Sequence, residues 1–236
     1  ALETWNAIDG TQIAIWREQH GHGDVAISPN QRFVAVATAA AAINIFYLSD
    51  GSLYRTLRSP GSGAENLYGD VDFSPNGELL AVGRLNNAID IWSTDTWEIK
   101  VTLETTYFAH DVKFSPNGQY LSLGNEIWRV SDWSSISLDT AVDARSIDFS
   151  RNSEYLAIAA NWGGTLILNP ANYDLVYGDG SLSDRVAFSP KQNLLASSND
   201  EHVSLFLLVD GVWLSRKYQI PELGPTGLNY QSSLAV

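Results

Sequence analysis

The chain has 236 residues, 44% of them hydrophobic and 11% aromatic, which is globular composition and enough length to bury a core without staples. It contains no Cys, which excludes disulfides, thiolate nucleophiles and Cys-ligated zinc. A formal net charge of −13 argues against nucleic-acid or anionic-membrane partners and favours a partner with a basic surface.

No apolar run reaches membrane-spanning length, and the start ALETWNAIDG does not read as a signal peptide, so the compartment stays open. Met is also absent, even at position 1, so the chain reads as processed, engineered, or part of a larger polypeptide or assembly. In chain order, the first predicted elements are two short strands, Leu2 to Trp5 and Ile13 to Trp16. A phrase then recurs five times: DVAISPN from Asp24, DVDFSPNG from Asp70, DVKFSPNG from Asp111, SIDFSRN from Ser146 and RVAFSPK from Arg185. The anchoring serines are Ser28, Ser74, Ser115, Ser150 and Ser189. Each phrase predicts a strand and a tight turn, because Pro presets φ and Asn-Gly tolerates positive φ. Three further strands follow in every copy, for example LLAVGR, AIDIWS and EIKVTL after Ser74, and the fourth is the most polar.

No window carries a helical period. Four-stranded units at a period of about 40 residues predict an all-β propeller. The last stretch, Gly227 to Val236, reads as a first and second strand, whereas Leu2 to Trp16 reads as a third and fourth. The expectation is a single six-bladed domain over residues 1–236, with the last blade closed by both termini. A truncated seven-bladed ring is the alternative. Closure of this kind would remove exposed strand edges.

The Val-x-Phe-Ser-Pro-Asn-Gly turns, the pairs Leu80-Ala81 and Leu195-Ala196, and Ile89 to Trp92 resemble the WD-repeat propeller family over nearly the whole chain. The finer signature of that family is missing. Its Gly-His positions hold Glu18, Ala64, Thr105, Thr140 and Asp179, and its structural Asp fits only at Asp200, with Ala40, Asn86 and Trp162 at the corresponding places. The buried Asp-His-Ser-Trp network is therefore expected to be incomplete. The resemblance implies a non-catalytic scaffold that binds other proteins through loops.

Two positions of each first strand, four and two residues before the serine, are expected to line the axis. They bring together Asp24, Asp70, Asp72 and Asp111, a set whose oxygens would suit calcium or a basic group from a partner. The loops between blades share one rim. Residues expected there are the aromatic and basic Tyr68, Arg84, Tyr107, His110, Arg145, Trp162, Arg185 and His202, of the kinds found at interface hot spots, together with the acidic Asp200. His20 and His22 in HGHGD lack the third ligand that zinc needs. No nucleophile elbow, phosphate loop or zincin motif occurs, so the chain is not expected to be an enzyme. The alternatives are a glycan- or small-ligand-binding propeller using Trp162 and Tyr107, and an enzyme with an axial site.

Overall fold

The computed structural model describes residues 2–5, 9–16, 22–38, 42–60, 68–106, 111–123, 125–137, 144–160, 163–180, 182–199 and 201–219. Two compact units divide the chain, Ala1–Phe114 and Ser115–Val236. In the first, β1 (Leu2–Trp5) pairs with β2 (Gln12–Trp16) as an antiparallel hairpin. A four-stranded sheet follows, built in order from β3 (His22–Ile27), β4 (Phe33–Thr38), β5 (Ala42–Tyr47) and β6 (Leu53–Leu57). The next has the same order: β7 (Tyr68–Phe73), β8 (Leu79–Arg84), β9 (Ala88–Ser93) and β10 (Ile99–Glu104).

The third four-stranded sheet comprises β11 (Lys113–Phe114), β12 (Tyr120–Ser122), β13 (Glu126–Arg129) and β14 (Ser135–Ser137). The second unit continues with β15 (Ala144–Phe149), β16 (Leu156–Ala160), β17 (Gly164–Leu168) and β18 (Leu175–Gly178). Its last sheet is β19 (Arg185–Phe188), β20 (Leu194–Ser198), β21 (His202–Val209) and β22 (Val212–Gln219). The described residues thus form five four-stranded meanders, as the repeats predict.

Burial follows position in the meander. The second and third strands are covered on both faces: every residue of β4 and β16 is buried, and β8 and β9 are buried up to their last residue. That is why they read as continuous apolar runs rather than alternating ones. Fourth strands are exposed, and β6 buries only Leu57. The cores lie between consecutive sheets. One packs Phe33, Ile43 and Ile45 against Val71, Phe73 and Leu80. In the second unit, Ile147, Phe149 and Ile158 pack with Ile127 and Tyr173, while Val186, Phe188 and Phe206 pack with Ala157 and Ile167.

The recurrent Ser-x-Asn phrase is explained by its turn. Ser74 Oγ accepts from Leu79 N–H at 2.9 Å and donates to Asn76 Oδ1 at 2.7 Å, and the same oxygen of Asn76 accepts from Glu78 N–H at 3.1 Å. The first, third and fourth copies repeat this through Ser28 and Asn30, Ser115 and Asn117, and Ser150 and Asn152. Gly77 and Gly118 sit at φ of +74° and +70°, where glycine carries no penalty for a Cβ.

A second device was not legible in the repeats. The hairpin between third and fourth strands places a residue in the left-handed region, and an aromatic often occupies it: Trp97 at φ +56°, Trp133 at +57° and Tyr173 at +64°, where the β5–β6 hairpin uses Gly51. Bulky residues seldom adopt this conformation. Trp97 and Tyr173 do so while buried at 5% and 6% exposure, which offsets the strain with packing. Trp97 meets Phe33 edge-on at 5.5 Å between ring centroids.

Candidate functional site

The four axial carboxylates are expected to be free for a ligand, and for Asp70 and Asp72 the structure shows a different use. Asp70 is buried, and its Oδ2 accepts the backbone N–H of Val112. Asp72 Oδ2 accepts from Phe114 N–H at 2.7 Å. In the second unit Asp148 Oδ2 accepts from Phe188 N–H at 2.6 Å, and Ser146 Oγ from Val186 N–H at 3.5 Å. These side chains are latches: each fastens its first strand to the backbone at the first strand of the next repeat. Satisfying a buried N–H in this way avoids a desolvation cost of about 1–3 kcal/mol.

Crowding has an electrostatic cost. Burial pushes the Asp70 carboxyl well above the usual range, and a hydrogen bond to Asp24 and the charges of Asp111 and Asp24 add to it. Asp72 rises to about 7, mainly by burial, against the pull of Phe114 N–H and Lys113. Asp24 itself is exposed and Asp111 partly buried. Among the described residues no group of three His, Cys, Asp or Glu is arranged to hold a metal ion.

The expected rim residues separate into three sets. Tyr107, His110, Trp162 and Asp200 lie outside the described residues, as does His20. Tyr68 and Arg84 belong to strands rather than loops, opposite one another at the start of β7 and end of β8. Arg84 is not an exposed anchor. Its side chain is 13% exposed, and Nη1 lies 3.4 Å from Oδ2 of Asp90, which is wholly buried. Thr102 Oγ1 and Ser59 Oγ also donate to Asp90. Arg84 therefore neutralises an internal carboxylate.

Arg145, Arg185 and His202 form the third set, and they share one end of their sheets. Arg145 is exposed at the bulge that opens β15. Arg185 is exposed at the start of β19, opposite Ser198. His202 opens β21 on the wall of a cleft of about 230 Å³ shared with Ser198, Asn199 and Lys217. Asn199 Oδ1 shapes this loop by accepting from the N–H groups of Glu201 and His202 at 2.9 and 2.7 Å.

Beneath it, Thr165 Oγ1 donates to Ser197 Oγ at 2.7 Å, and Ser183 lies 3.0 Å from the same atom. These buried hydroxyls and Asp90 were not visible in the repeats. Their only signal was a polar residue inside an otherwise apolar strand, as with Asp90 in AIDIWS and Ser197 in LLASS.

Comparison with known proteins agrees with this architecture. No family model and no curated protein matches the chain. A chain of the mitotic checkpoint complex is similar in structure, with a TM-score of 0.77 and 17% identity, covering 92% of this chain and 71% of that one. The Cps50 (Swd1) β-propeller domain of Myceliophteria thermophila is also similar, with a TM-score of 0.70 and 13% identity, covering 87% of this chain and 73% of that domain. The fold is that of a divergent WD-repeat-like β-propeller. At these identities the likeness establishes the fold. Asp90 with Ser59 and Thr102, and Thr165 with Ser183 and Ser197, are its buried polar clusters among the described residues.

Proposed function

We propose that this propeller is a non-catalytic protein-interaction module whose partner docks on the rim carrying the connections between blades. The observation behind this reading is the cleft at His202 and Asn199, at the same strand ends as exposed Arg145 and Arg185. Side chains there project from strand ends fixed by buried networks, so the surface is preorganised and little order is lost on binding. The neighbouring structures fit this role, since one is a component of a complex. A partner whose basic groups meet the acidic body of the chain while its acidic groups meet the arginines suits the net charge of −13.

The test is quantitative capture from native extract by the wild-type chain and by an Arg145→Glu/Arg185→Glu/His202→Ala variant. The reading expects proteins retained by the wild type to fall at least tenfold in the variant, with its melting temperature unchanged. An identical retained set would contradict it.

The same reading includes six blades closed by both termini. The β1–β2 hairpin turns through Asp9-Gly10-Thr11, where Asp9 Oδ1 accepts from Thr11 N–H at 2.9 Å and Gly10 has φ +69°. The hairpin joining third and fourth strands at Asp50-Gly51-Ser52 has the same bond at 2.9 Å and φ +71°. This shared turn supports reading the N-terminal hairpin as the outer half of a blade. Val25 and Ile27 on β3 are 40% and 54% exposed, whereas Val71 and Phe73 at the matching positions of β7 are 2% and 5% exposed.

A further inference from the structure

The Ser-x-Asn turns repeat because they close hairpins, so departures from them stand out. Two departures matter. Arg151 stands where the other four copies have Pro29, Pro75, Pro116 and Pro190, and Lys191 stands where the others have Asn30, Asn76, Asn117 and Asn152. Neither cation serves the turn chemistry that the repeat encodes, and both line one cavity of about 260 Å³.

The cavity lies at the end of the last two sheets opposite to Arg145 and Arg185. Its apolar wall is Tyr155, Phe188, Leu208 and Trp213. Trp213 meets Tyr155 edge-on at 5.4 Å and Phe188 at 6.1 Å between centroids. Its indole is 6% exposed, with Nε1 itself buried and unpaired among the described residues, so the ring and not its N–H faces the cavity.

The mouth carries Arg151 and Lys191, and among the described residues no carboxylate lines it, although the chain has 27 acidic residues against 14 basic ones. Arg151 uses one guanidinium nitrogen to donate to Pro190 carbonyl at 3.1 Å, which holds it across the two turns with further donors in hand. Glu154 stands close by and is engaged with Asn152 Nδ2 at 2.8 Å.

We propose that this cavity is a second recognition site, which takes an apolar side chain carried by an acidic peptide segment of a partner protein. The aromatic wall receives the apolar group. Arg151 and Lys191 meet the flanking carboxylates. Aromatic walls with a cationic mouth are the composition of an interface anchor pocket, and the two cations give it a sign that the rest of the acidic surface opposes.

The test uses a probe pentapeptide with central phenylalanine flanked by two glutamates on each side, titrated into the full chain and read by the indole N–H resonance of Trp213. That resonance is assigned by its disappearance in Trp213→Phe. Two control peptides carry glycine in place of phenylalanine, or lysines in place of glutamates. Restoring the repeat residues, Arg151→Pro and Lys191→Asn, gives variants that keep the turn chemistry used elsewhere in the chain.

The expected result is a saturable shift with the acidic phenylalanine peptide alone, weakened at least tenfold in the double variant and by added salt. No shift at millimolar probe, an equal response to the lysine peptide, or undiminished affinity in the double variant would overturn the proposal.

Discussion

Ser74 shows how one side chain specifies a hairpin. Its hydroxyl is buried, accepts from Leu79 N–H and donates to Asn76, so removing it strands a backbone donor inside the turn. Ser74→Ala is expected to cost about 1–3 kcal/mol by denaturant unfolding. Ser189→Ala should cost less, because among the described residues Ser189 Oγ accepts only a 3.4 Å contact from Lys191 N–H, and it has no Asn two residues on. This chemistry was legible in the sequence because donor and acceptor lie within five residues of each other. The roles of Asp70 and Arg84 were not. Asp70 answers an N–H 42 residues away. Arg84 reads as a surface cation until the burial of Asp90 is known.

At the scale of elements, latches and wedges join the sheets. Asp72 carries the clearest pH signature, since its folded carboxyl titrates near 7 against 3.8 for an unperturbed one. The folded state therefore holds a proton that the unfolded chain releases. The resulting stabilisation is complete below about pH 4 and is lost as pH rises through 7. Asp72→Asn keeps the acceptor for Phe114 N–H and removes the titration. Its melting temperature should fall less steeply than that of the wild type between pH 5 and 8, and parallel profiles would disprove the assignment.

The wedge aromatics make a separate prediction. Trp97→Gly relieves a left-handed φ worth about 1–2 kcal/mol but empties a buried site whose loss costs about 3–5 kcal/mol. Net destabilisation of about 1–4 kcal/mol is expected from chemical denaturation. Sequence periodicity does not reveal such a wedge, because the residue sits in a polar turn where an aromatic reads as exposed.

For the whole molecule, the four-strand repeat was legible because each copy carries its own turn signals and buried second and third strands. The proposed closure is less directly written, since it would depend on residues at opposite ends of the chain. Under the proposed closure, removing residues 220–236 is expected to lower the melting temperature and raise binding of a hydrophobic dye. Unchanged values would argue for an open arrangement.

Function is expected where the copies disagree, and both candidate surfaces meet that description: the rim with Arg145, Arg185 and His202, and the pocket with Arg151 and Lys191. The most direct test of the interaction reading is amide hydrogen exchange of the chain with and without its captured partner. The account predicts new protection at residues 144–145, 182–185 and 199–202, with the buried strands β16 and β20 unchanged. Protection confined to the outer strands β6, β10 and β18, with that rim unaffected, would contradict it.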